Sequence, residues 1–154
     1  MSKHNVLWGE GLFLRPQHFQ MQDSYHHAQR ALTMSITHPY TYGIVDIQMD
    51  EQLLDSNILA AEHIFCILPD GTIYQAPRTD LLPKPLTLEG QDLGDELYVY
   101  LSLEIIQNNG SNIQGSSNDN PTRYSKETIE ASDLYTQAAP AMIDVVKLSP
   151  SLQI

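Results

Sequence analysis

The chain of 154 residues contains a single cysteine, Cys66. One thiol cannot close an internal disulfide, so the fold does not depend on an oxidising compartment. Cys66 lies within Ile64-Phe65-Cys66-Ile67-Leu68, where a small buried apolar residue is expected rather than a nucleophile. Basic side chains are also scarce: 8 Lys and Arg stand against 19 Asp and Glu, a formal net charge of -11. Such a surface is repelled by phosphate backbones and anionic membranes, and no local basic cluster offsets it, which excludes nucleic-acid binding. No apolar run approaches the roughly 20 residues of a membrane span. No apolar core follows Met1-Ser2-Lys3-His4-Asn5 before Glu10, so the sequence predicts no signal peptide, no membrane insertion and a cytoplasmic location.

The motifs of common chemistries are missing too. Gly9-x-Gly11 lacks the third glycine of a dinucleotide fingerprint and follows no long buried strand. There is no G-x-S-x-G elbow, and a Cys–His nucleophile would rest on one buried thiol. His18 and His26 are eight residues apart and His26-His27 are adjacent, so neither pair sets two ligands one helical turn apart, even with Asp23 and Gln22 nearby. The reading is a non-enzyme with no metal and no cofactor.

What is present is a helix followed by strands. Residues 5–14 read as extended, with Gly9 and Gly11 permitting bends. Pro16 suits the first position of a helix. Met21, Tyr25, Ala28 and Leu32 then recur at helical spacing as one apolar stripe. The helix is expected to fade near Thr33, and His38-Pro39 imposes an extended backbone. Beyond it Val45, Ile47 and Met49 alternate with polar neighbours, as in a strand. Residues 53–59 are ambiguous.

Pro69-Asp70-Gly71 is the strongest local signal, a turn that makes residues 61–76 a hairpin. Pro77, Pro83 and Pro85 break up the next stretch. Residues 96–106 read as the clearest strand, with Leu97, Val99, Leu101, Leu103 and Ile105 on its core face. Residues 108–122 are a polar loop. Residues 123–129 and 141–148 are further strands, separated by a polar break at 133–140. A helix followed by antiparallel strands predicts a mainly β chain, a β-sandwich or open barrel carrying an N-terminal helix, as a single domain over residues 1–154.

The aromatic N-terminus is the candidate site. Trp8, Phe13, Leu14, Arg15 and Phe19 supply apolar area beside a guanidinium. From spacing most of them should fill the core or staple the helix start. Trp, Phe and Arg are also typical interface anchors, and Trp8 and Phe13 are the best placed of the set to serve one.

The segment Trp8-Gly9-Glu10-Gly11-Leu12-Phe13-Leu14-Arg15-Pro16-Gln17-His18-Phe19-Gln20 resembles the opening of the TssK family of bacterial type VI secretion baseplate subunits. His38-Pro39-Tyr40-Thr41-Tyr42-Gly43, Leu68-Pro69-Asp70-Gly71-Thr72 and Arg123-Tyr124-Ser125 are similar to later segments of that family. The resemblance implies an antiparallel β-sandwich shoulder like that of phage receptor-binding proteins. It implies a docking role on the TssF–TssG wedge, with a trimer when full length. It also implies contact with the TssJ–TssL–TssM membrane complex through a C-terminal head, which draws the assembly to the inner face of the inner membrane. The neck and head have no counterpart here, so the chain is expected to be a fragment. The alternative is a ligand-binding β-sandwich such as a carbohydrate-binding module, with Tyr74, Tyr98 and Tyr100 as a stacking platform.

Overall fold

A computed structural model describes residues 4–90, 96–114, 121–136 and 139–154. In chain order the elements are α1 (Pro16–Thr37), β1 (Gly43–Met49), α2 (Glu51–Leu54), β2 (Ile58–Leu59), β3 (Ala61–Ile67), β4 (Ile73–Ala76), β5 (Leu86–Thr87), β6 (Tyr100–Ser102), β7 (Tyr124–Ala131), β8 (Ala141–Leu148) and β9 (Ser151–Gln153). The β1, β3 and β4 strands form one sheet in the order β1-β3-β4. The pairs β2-β5, β6-β9 and β7-β8 are antiparallel two-stranded sheets. The mainly antiparallel β class with an N-terminal helix is as the sequence predicted. The chain divides into two compact units, one of Met1–Val45 with Cys66–Ile73, the other of Asp46–Phe65 with Tyr74–Ile154.

In the first unit, α1 begins as its sequence dictates. Arg15 caps it in an extended conformation (φ -130°, ψ 154°) and Pro16 enters the first turn, where a proline needs no amide hydrogen. The helix runs past the expected end at Thr33 to Thr37. The hydroxyls of Thr33, Ser35 and Thr37 donate back to carbonyls one turn earlier, and the His38 amide donates to the Met34 carbonyl at 2.9 Å. These bonds hold a last turn made of residues with poor helix propensity. His38 is extended, as its proline neighbour requires.

The predicted apolar stripe of α1 is not a buried face. No residue of the helix is buried, and Met21 and Leu32 are exposed. Tyr25 and Ala28 of the stripe are half-buried, together with His18, Gln22, Ser24, His27 and Ala31. The cause is close backbone approach. His27 Nε2 lies 3.3 Å from the Asp70 carbonyl oxygen, and Ala31 meets Gly71. Small size at that contact lets the helix backbone approach the turn. The turn itself forms as read. The Leu68 amide donates to the Thr72 carbonyl and the Gly71 amide to the Leu68 carbonyl, each at 2.9 Å. The Asp70 carboxylate accepts from the Thr72 amide, and Gly71 takes φ +79°, open to glycine at little cost.

In the second unit the ambiguous stretch resolves into α2 and β2. Asp50 caps α2 through the Leu53 amide at 3.0 Å. Ala60, Ala61, Ile64, Tyr74, Ala76, Leu88 and Leu148 are buried. The Tyr74 hydroxyl donates to the Leu81 carbonyl at 2.6 Å. Asp80 is the hub here: one carboxylate oxygen accepts from the Gln75 amide and the Thr79 hydroxyl, the other from the Leu148 amide.

Residues 96–106 correct the sequence reading, since only Tyr100–Ser102 is strand. The register Tyr100↔Gln153, Leu101↔Leu152 and Ser102↔Ser151 provides three rungs, and β propensity without a partner to pair with makes no ladder. Leu97, Val99, Leu101 and Leu103 are half-buried as that alternation required, while Ile105 is exposed against expectation. Part of the predicted loop is well bonded. Asn112 accepts from the Gln107 amide at 2.7 Å and donates to its carbonyl at 2.9 Å, and Ile113 makes an isolated bridge to Tyr124. The loop residues 115–120 and residues 137–138 of the polar break lie outside the described residues. The β7 and β8 strands match the sequence reading closely; β5 and β9, two and three residues long, had no legible signal.

Candidate partner-binding surface

The N-terminal segment is organised by two short-range devices. The Leu12 amide donates to the Gly9 carbonyl at 3.3 Å across a turn in which Gly11 takes φ +75°. The Arg15 amide donates to His18 Nδ1 at 3.0 Å, and the His18 amide returns a bond to the Arg15 carbonyl at 3.0 Å. His18 thus does what a glutamate does in a capping box. The accepting Nδ1 carries no proton, so the ring hydrogen is on Nε2.

The Trp8 ring lies against that first turn, with its centroid 6.2 Å from the His18 ring and 6.4 Å from the Phe19 ring. The structure therefore brings Trp8 and Phe19 together beside the cap residue Arg15. Phe13 and Leu14 sit between them in sequence and stand in solvent. Exposure is 47% for Trp8, 81% for Phe13, 53% for Leu14 and 52% for Phe19. The expectation that most of this set fills the core is thereby overturned.

Sequence reasoning missed a second exposed group in the same unit. An open hollow of about 300 Å³ is lined by Met34, Tyr40, Tyr42, Ile44, Val45 and Ile67, among others. The alternation at 45–49 suggested a strand with one apolar face turned inward, but Ile44, Val45 and Ile47 are all exposed. The β1 strand is an edge of its sheet, and its adjacent Ile44 and Val45 project from opposite faces, so neither face is covered there.

The histidines have structural tasks: His18 accepts the cap bond, and His27 contacts the turn carbonyl. Among the described residues no three His, Cys, Asp or Glu side chains converge on a common point. Cys66 is buried, and burial pushes its thiol pKa up, away from the reactive thiolate. Tyr74 is almost fully buried, so the three-tyrosine platform does not form; Tyr98 and Tyr100 alone are exposed, and the Tyr98 hydroxyl donates to Glu96 at 2.9 Å. None of the helices described is long and apolar enough to cross a membrane.

Residues 18–154 match the family described as bacterial type VI secretion, VC_A0110, EvfL, ImpJ, VasE. The type VI secretion system baseplate component TssK1 of Pseudomonas aeruginosa is 38% identical over 106 residues, 68% of this chain and 23% of that protein. A chain in the cryo-electron microscopy structure of the TssK-TssF-TssG baseplate subcomplex superposes with a TM-score of 0.86 at 26% identity, over 99% of this chain and 51% of that one. A crystal structure of TssK gives a TM-score of 0.86 at 25% identity, over 99% of this chain and 34% of that one. The chain thus spans about a quarter of the curated relative and about half or less of these solved chains. The chain belongs to the bacterial type VI secretion family of VasE and ImpJ, and its likenesses to TssK identify it with the TssK N-terminal domain.

Proposed function

We propose that this chain is a non-catalytic docking part of the type VI secretion baseplate, and that it attaches to the TssF–TssG wedge through its N-terminal surface. One observation carries the reading. A family member whose relatives are baseplate components holds Trp8, Phe13, Leu14 and Phe19 exposed around a capped helix start. Large apolar side chains with an adjacent guanidinium are the usual energetic centres of protein interfaces. The net charge of -11 steers basic partner patches toward the chain.

The same reading makes residues 1–154 the shoulder of a longer, trimeric protein. In it the full-length assembly is cytoplasmic, and its C-terminal head reaches the TssJ–TssL–TssM membrane complex. The test is co-purification of this chain with TssF and TssG from the same gene cluster. A stoichiometric complex supports the reading. A folded chain that captures no wedge, when the full-length protein also fails to, overturns it.

A further inference from the structure

The paired strands β7 and β8 form a ribbon two strands wide and eight rungs long. A ribbon of two strands is at best marginally stable in water without something packed on it. Yet most residues on both strands are exposed. The register sets Ile129 opposite Ile143 on one face and puts Met142 and Val146 on the other, and all four side chains are exposed.

The turn that follows β7 is held from within. One Asp133 carboxylate oxygen accepts from the Tyr135 amide at 2.9 Å, the Thr136 amide at 2.6 Å and the Thr136 hydroxyl at 2.8 Å. On this turn stand Leu134 and Tyr135, 85% and 91% exposed. These bonds fix the backbone that carries them, which removes part of the ordering cost of binding. Tyrosine is among the residues most often found at the energetic centre of an interface.

Charge says what kind of partner fits. Lys126 pairs with Asp144 at 2.6 Å, and Lys147 pairs with Glu127. Both lysines of the ribbon are thereby neutralised, while Glu130 and Asp133 remain as surplus negative charge flanking Leu134 and Tyr135. A second copy would bring the same surplus to the contact, and like charges across an interface disfavour it.

We propose that this tip, with Leu134 and Tyr135 as anchors and Glu130 at the rim, is a second docking element, distinct from the N-terminal surface. Its occupant is an apolar pocket rimmed by Lys or Arg on a partner protein. The inference rests on the baseplate reading, which supplies the probe: purified TssF–TssG complex.

Binding of the unaltered chain, Tyr135→Ala, Glu130→Lys and Trp8→Ala to immobilised TssF–TssG is measured at two salt concentrations, with circular dichroism confirming each fold. Tyr135→Ala is expected to bind about tenfold more weakly. Glu130→Lys is expected to slow association and flatten the salt dependence. Tip variants that bind like the unaltered chain while Trp8→Ala is weakened overturn the tip proposal and leave the baseplate reading standing. An unaltered chain that does not bind overturns the tip proposal, and a full-length protein that also fails to bind overturns the baseplate reading as well. Tip variants that change only the sedimentation of the isolated chain assign the tip to self-association, which also overturns the proposal.

Discussion

Ala31 on α1 and Gly71 in the Pro69-Asp70-Gly71 turn approach so closely that a β-carbon on Gly71 would stand 2.9 Å from the Ala31 β-carbon. That separation is inside van der Waals contact, and the Ala31 β-carbon is fixed to its backbone rather than being the end of a flexible side chain. Gly71 also has φ +79°, which costs an L-residue about 1 kcal/mol. Gly71→Ala is therefore expected to destabilise the chain by about 2 kcal/mol or more, combining backbone strain with overpacking. Urea unfolding would read this as a lower midpoint at unchanged slope. Ala31→Gly in the same chain should recover part of the loss if steric contact is the cause.

Asp80 joins three backbone segments through one carboxylate, by its bonds to Gln75, Thr79 and Leu148. Asp80→Ala leaves two partly buried amides without acceptors and is expected to cost about 2 to 3 kcal/mol. Asp80→Asn keeps one accepting oxygen and should cost less. Equal losses for the two variants in denaturant titrations would remove the case for acceptor geometry.

Two carboxylates, Asp144 on the ribbon and Asp133 in the turn after β7, tie stability to pH. The Lys126 bond, then the Thr128 hydroxyl, holds the Asp144 pKa below its ordinary value. The Thr136 amide and hydroxyl and the Tyr135 amide do the same for Asp133. A lowered folded-state pKa means that the contribution is present above the ordinary carboxylate value. It is lost as pH falls through the lowered one. Amide hydrogen exchange along β7 and β8 should therefore be insensitive to this linkage from pH 6 to 8, taking those bounds as roughly neutral, and protection should fall on acidification below about pH 4. Asp144→Asn should abolish part of that acid-induced loss. Unchanged acid sensitivity in the variant would show that other groups carry it.

Trp8 rests on His18 and Phe19 yet keeps about half of its surface in water. Trp8→Ala should therefore cost the isolated chain about 1 kcal/mol or less while weakening wedge capture about tenfold. Arg15→Glu should weaken capture as well. Unchanged pull-down by a folded Trp8→Ala variant would argue that the N-terminal surface is not the contact.

The Cys66 thiol is buried and its pKa is raised by that burial. Reaction with a thiol-specific reagent should be slow in the native chain and complete in urea. Fast native labelling would mean that β3 opens readily.

Much of the local structure was legible because it rests on neighbours in sequence. Pro16 opens α1, His38-Pro39 closes it, and Asp70-Gly71 bends the chain through bonds spanning only a few residues. The β7 and β8 strands could be read for the same reason, as two long runs separated by a polar break. The opening motif also identified the family from residues alone.

Other features depend on partners distant in the chain. Residues 96–106 have strong β propensity throughout, but only three of them find a pairing strand. The helix α1 carries a regular apolar stripe, but only Tyr25 and Ala28 of it are half-covered, and the contact of Ala31 with Gly71, forty residues away by sequence number, lies outside it. The exposure of Trp8, Phe13 and Phe19 was not legible either, because an aromatic residue that fills a core and one that anchors an interface have the same composition and spacing. Sequence determined the Pro69-Asp70-Gly71 turn, the start of α1 and the family, since these are set by local chemistry. Tertiary structure decided which apolar side chains remain in water, since burial is a property of what lies across from a residue and not of the residue itself.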